Sequence, residues 1–133
     1  MSDEHPNAAI YRRTAVAFRA GDVDALRDLI DADAVWHVPG SHRLAGDIRG
    51  REAIVAWLTE IMTIGFRLSE HDVLASDEHV CALSVMGAQR PGLDVETRVV
   101  SIFHYRDGRQ VERWIYPDDR DAWERIFEDP VPP

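Results

Sequence analysis

AVWHVPGSHRLAGDIRG, residues 34–50, is the stretch that decides the fold. Its apolar start, Val35 to Val38, reads as a short strand carrying His37, and Pro39-Gly40 ends it because proline has no N–H for a ladder. A loop containing Gly46 then delivers the chain to an amphipathic helix from about Arg51. Ile54, Trp57, Leu58 and Ile61 form its apolar face, and Gly65 closes it. Upstream, FRAGDVDALRDLI (residues 18–30) breaks at Gly21 and restarts at Asp22. Asp22 caps a second helix, buried through Val23, Leu26, Leu29 and Ile30. The preceding helix has Asn7 as its cap and an inner stripe of Ile10, Tyr11, Thr14, Ala17 and Phe18.

Beyond Gly65 the pattern changes to period two. Strands are expected at about 66–75, 79–89, 94–106 and 110–117, separated by Ser76-Asp77-Glu78, Arg90-Pro91-Gly92 and Asp107-Gly108. Asp-Gly between two apolar runs is a strong tight-hairpin signal. The final DDRDAWERIFEDP reads as a short helix capped by Asp118, with Trp123, Ile126 and Phe127 turned inward. Helices, strand, helix and then an antiparallel meander make an α+β pattern.

The 133 residues suffice for one domain, 1–133, with a sizeable core. The start, MSDEHPN, is polar and unlike a signal peptide, and a lone cysteine, Cys81, forms no internal disulfide, so a cytoplasmic protein is expected. Cys81 lies in an apolar run and reads as an inert buried thiol. A net charge of −9 argues against nucleic acid and anionic membranes as partners. All 15 basic residues are arginine, the mark of GC-rich bacterial coding, and the lack of lysine excludes Schiff-base catalysis. Six histidines occur without HxH, HExxH or CxxC spacing, so no metal is expected, and no phosphate loop or nucleotide fingerprint calls for a cofactor.

The order of elements, the Gly21-Asp22 join, residues 34–50 and FHYRDG (residues 103–108) resemble the SnoaL-like branch of the NTF2/ketosteroid-isomerase superfamily. The resemblance implies an NTF2-like cone, a curved antiparallel sheet wrapped around helices with one apolar pocket. It also implies a homodimer through the convex sheet face, where Trp36, Val38 and His104 are candidates. By the same resemblance His37 takes the place of the isomerases' proton-shuttling aspartate and points into the pocket. There it serves either as general base, which neutral imidazole suits near pH 7, or as a hydrogen-bonded wall residue.

The rest of the isomerase machinery is altered. Thr14 falls where the oxyanion tyrosine stands, and Ser101 where its acidic partner stands. Tyr11, one turn earlier, is an alternative donor or a packing aromatic. The Asp–Arg–Asp set of epoxide hydrolases is missing, Ile115 replacing one acid. Arg113, in phase with Ile115, either binds an enolate or carboxylate oxygen inside the pocket or forms a rim salt bridge with Glu70, Asp72, Glu96 or Glu112. His71 is a further pocket candidate, and His104 falls out of phase with Ser101 and Phe103. Trp57 and Phe103 shape the cavity, while His42, Arg43 and Asp47 lie on a loop over its mouth.

Two functions follow as expectations. One is a cofactor-independent isomerase, cyclase or dehydratase acting on a small hydrophobic carbonyl compound of polyketide or terpenoid type. In it, His37 is the base and Ser101, Tyr11 or Arg113 steadies the enolate. The other is a non-catalytic protein that binds a small hydrophobic ligand in the same pocket. A protein-interaction module is a third, which an exposed apolar patch would mark.

Overall fold

The computed structural model describes residues 4–129. Four helices and six strands follow in the order α1 (Pro6–Ala20), α2 (Val23–Leu29), β1 (Ile30–Val38), β2 (Gly46–Arg49), α3 (Arg51–Met62), β3 (Phe66–Ala75), β4 (His79–Arg90), β5 (Leu93–Arg106), β6 (Arg109–Pro117) and α4 (Arg120–Ile126). One curved sheet has the order β2-β1-β6-β5-β4-β3. All its neighbours are antiparallel except β1 and β6, which run parallel. This is the α+β cone of the NTF2-like fold.

The four-strand meander stands where the period-two pattern placed it. Asp107 (φ 54°) and Gly108 (φ 76°) make its tight hairpin, both in the left-handed region that this turn demands. Gly65 closes the α3 end at φ 75°, and a Cβ there would stand 2.1 Å from the Gln89 carbonyl oxygen, so no other residue fits.

Several local expectations change. The α1 cap is His5, whose Nδ1 accepts from the Asn7 N–H at 3.1 Å; the Asn7 side chain instead donates to the Ser76 and Asp77 carbonyls. Asp119, not Asp118, caps α4 by accepting from Ala122 N–H at 3.0 Å. Ile30 belongs to β1 rather than α2. Residues 46–49, expected as loop, pair with β1 as an edge strand.

Burial alternates along β5, with Val95, Thr97, Val99, Ser101, Phe103 and Tyr105 facing inward and Val100, Ile102 and His104 outward. The inner face meets α1, α3 and α4 in two apolar clusters. The larger includes Trp36, Ile54, Trp57, Ile115, Trp123 and Phe127; the smaller contains Tyr11, Val80, Ala82, Phe103 and Tyr105. Between them runs a belt of buried polar side chains: Thr14, Ser84, Ser101, Gln110 and Arg113. Cys81 is half-buried on the outward face of β4. No helix among the described residues is long and apolar enough to cross a membrane.

Candidate functional site

Inside the cone is a hollow of about 50 Å³, bounded by α1 through Tyr11, Thr14 and Phe18, by α3 through Trp57, and by the sheet through Trp36, Phe103, Arg113 and Ile115. That volume admits a few waters or a ligand head group of similar size. A wider open groove of about 790 Å³ runs over the edge strand β3 and shares Phe18, Phe66 and Leu68 with the hollow. These three side chains therefore form the boundary between the enclosed space and solvent.

Arg113 dominates the chemistry of this hollow. β6 points it inward beside Ile115, and it is only 7% exposed. Its Nη2 donates to Ser101 Oγ at 2.8 Å, and its guanidinium carbon lies 4.4 Å from the Trp36 ring centre and 4.8 Å from that of Phe103. The rim salt bridge is not formed: no carboxylate among the described residues pairs with Arg113, and its Nε has no hydrogen-bond partner. Burial pulls its pKa down to about 10, so the group remains a cation at neutral pH.

Tyr11 sits alongside. Its hydroxyl donates to Glu70 Oε1 at 3.2 Å, and Arg19 Nη1 holds the other Glu70 oxygen at 2.9 Å. Burial pushes Tyr11 up to about 12, opposed by Arg113 and reinforced by Glu70, so it stays protonated. Thr14 donates to the Ile10 carbonyl in its own helix at 3.1 Å. Behind the lining, the Ser84 hydroxyl adjoins Tyr11 and the Tyr105 hydroxyl adjoins Thr14 and Gln110, each outside close hydrogen-bond geometry, and Arg113 Nε is buried without a partner.

His37 is not part of this arrangement. Trp36 and Val38 are the buried residues of β1, and His37 points to the opposite, outward face. There its Nδ1 meets Asp47 Oδ1 at 2.8 Å and its Nε2 meets Glu112 Oε2 at 2.6 Å, with the ring stacked on Trp114 at 5.7 Å. Two carboxylates facing two ring nitrogens raise its pKa, Glu112 first and Asp47 second. The trio joins β2, β1 and β6 from outside.

The sign of that shift makes a prediction. Stability from a raised histidine is full below its unfolded pKa of about 6.5 and is lost as pH rises through the folded value. Asp47 is shifted down, chiefly by its bond to His37, so its share is lost as pH falls through that lowered value. The stability difference between wild type and His37→Gln is therefore largest between about pH 4 and 6.5 and shrinks above neutrality. Urea unfolding from acid to alkaline pH checks this, and a difference that grows with pH contradicts it.

The remaining expected residues divide. Tyr11, Thr14, Trp57, Phe103, Arg113 and Ile115 line the hollow, with Ser101 behind Arg113. His71 does not: it is exposed at a bulge between Glu70 and Asp72. Trp36 and Val38, buried in the core, are unavailable to the interface expected of them, whereas His104 does lie on the outward face. The mouth loop is tied down, His42 stacking on Phe127 at 4.1 Å and Arg43 pairing with Glu60 at 3.0 Å. Glu70, Ser84 and Tyr105 stand behind the lining, beside Tyr11, Thr14 and Gln110. Phase signals the inner face for two of them: Tyr105 repeats the parity of Ser101 and Phe103, and Ser84 that of Ala82 and Met86.

The sequence profile of the SnoaL-like domain matches residues 11–113. An uncharacterized protein of Mycobacterium tuberculosis, Rv0034, is 32% identical over 104 residues, spanning 75% of this chain and 79% of that protein. Among solved structures, Bal32a from a soil-derived mobile gene cassette superposes with a TM-score of 0.87 at 32% identity, covering 92% of this chain and 97% of its own. An LEH-like epoxide hydrolase of M. tuberculosis has a TM-score of 0.77 at 20% identity, covering 94% and 92%. At that identity the likeness concerns the fold alone.

Proposed function

This chain belongs to the SnoaL-like domain family, and from that premise we propose an isomerase- or cyclase-type enzyme acting on a small, mainly apolar carbonyl compound. The observation that carries the reading is the buried Arg113 guanidinium, unpaired by any carboxylate, lining an apolar hollow beside a protonated tyrosine backed by a carboxylate. In such a site a fixed cation stabilises charge developing on oxygen far better than water does.

The proton step runs through Tyr11. A C–H bond α to the carbonyl breaks, and its proton passes to the Tyr11 oxygen. The tyrosine's own proton passes to Glu70 across the 3.2 Å hydrogen bond. The electron pair moves onto the carbonyl oxygen, and the resulting enolate faces Arg113, which Ser101 holds in place. Return of the proton at another carbon completes an isomerisation. His37 has no part in this step, because it stands on the other side of the sheet.

The test needs no knowledge of the natural substrate. Exchange of α-hydrogens of small ketones such as cyclohexanone in D2O, followed by proton NMR, is expected to be catalysed by the wild type and His37→Gln alike. Tyr11→Phe and Glu70→Gln are expected to lower it about 100-fold or more, the usual size of a general acid–base contribution. Exchange that survives in both variants, or that disappears in His37→Gln, overturns the proton route. Saturable binding of ketones without any exchange favours the second reading, a binding protein, for which the removal of His37 from the hollow already speaks.

A further inference from the structure

Among the described residues that line the hollow, Arg113 is the one that carries a charge, and it is 7% exposed. Its guanidinium makes a single side-chain hydrogen bond, to Ser101. A guanidinium presents five N–H donors in a planar fork that matches the two oxygens of a carboxylate. The charge balance points the same way. Arg113 is a buried cation that forms no ion pair among the described residues, with Glu70 acting on it only through space, and burying a charge without a close partner is strongly unfavourable. The neighbouring Glu70 is already engaged by Tyr11 and Arg19.

We propose that the molecule received by this hollow is a small hydrophobic carboxylic acid, its carboxylate held by Arg113. The inference rests on the reading of the hollow as a small-molecule site and deepens it: the substrate class becomes an oxo acid, bearing a permanent anion as well as a carbonyl. The size of the space agrees. About 50 Å³ takes the head group, while the hydrocarbon part extends past Phe18, Phe66 and Leu68 toward the open groove.

The assignment separates the roles of neighbouring residues. Arg113 binds a charge already present before reaction, so it anchors the substrate as well as facing the enolate oxygen. Tyr11 with Glu70 handles the proton. Ser101, which accepts from Arg113 and is 0% exposed, is a positioning residue that fixes the guanidinium plane.

Calorimetric titration with matched acids and amides tests the proposal: butyrate against butyramide, and benzoate against benzamide. Each acid is expected to bind at least about 10-fold more tightly than its amide, as a charge-assisted bond requires. Arg113→Met is expected to erase that preference. Ser101→Ala, which frees the guanidinium plane, reduces acid affinity about 2- to 10-fold and leaves amide affinity unchanged. Unaltered circular dichroism keeps these losses attributable to the site. Equal affinity for acid and amide, or an acid preference that persists in Arg113→Met, overturns the proposal. That failure is distinguishable from failure of the enzymatic reading, because catalysed hydrogen exchange of neutral ketones would then remain.

Discussion

Arg113→Met is expected to raise the melting temperature while abolishing acid binding and catalysed exchange. The two effects share one cause. At neutral pH the guanidinium is charged in an apolar interior, and burial, the largest influence on it, draws its pKa from 12.5 to about 10. A base whose folded pKa is depressed penalises the fold at every pH below that value, and the penalty vanishes only as pH rises above the unfolded pKa. The size is on the order of 3 kcal/mol. Against it stand the bond to Ser101, worth about 1 kcal/mol, and the contacts with Trp36 and Phe103, which methionine's thioether partly replaces. The balance is a gain of about 1–2 kcal/mol, several degrees for a chain of this length. Scanning calorimetry at pH 7 measures it. A variant less stable than wild type would mean that the cation is a structural element rather than a group kept for a ligand.

The second large effect is a loss. Trp123 of α4 is 2% exposed, donates its indole N–H to the Pro39 carbonyl at 2.9 Å, and meets Phe127 at 4.9 Å edge to face. It also borders the hollow, so it joins the helix, the β1 turn and the site. Trp123→Ala removes one of the three buried tryptophans of the core and leaves the Pro39 carbonyl with only the His42 ring N–H, at 3.1 Å. The expected cost is about 3–5 kcal/mol, a large part of the roughly 5–15 kcal/mol that holds a domain together. Guanidinium unfolding should show a midpoint far below wild type, with Trp123→Phe losing less than half as much. A loss below about 1 kcal/mol would show that the end of the cone does not depend on α4.

The fold was legible because its punctuation is local. Gly21, Pro39-Gly40, Gly65 and Asp107-Gly108 each impose a backbone conformation that ends an element, whatever surrounds it. The edge strand β2 was illegible for the opposite reason. Gly46, Asp47 and Arg49 are exposed and only Ile48 is half-buried, so its pattern carries no alternation to read. Its pairing with β1 is a tertiary event.

The site was legible in part. Strand parity correctly separates Val35 and His37 from Trp36 and Val38, but alternation alone does not say which pair faces the core. The likeness to isomerases carried His37 inward, whereas burial of an indole is worth far more than burial of an imidazole, and Trp36 took the inner face. Arg113 was ambiguous because a charge on a strand ordinarily faces water. Only its phase with Ile115 pointed inward, and the fold follows that phase. Ser84 and Tyr105 share the inner phase of their strands, but a lone serine or tyrosine in an apolar strand reads as packing.

The most direct test of the claim that Arg113 is the functional centre is the 15N–1H correlation of its side-chain Nε–H during titration with butyrate. The account predicts a slowly exchanging resonance in the free protein, as burial demands, that moves downfield in saturable fashion as the carboxylate arrives. A signal that stays in place while butyrate shifts only resonances of exposed residues would contradict it.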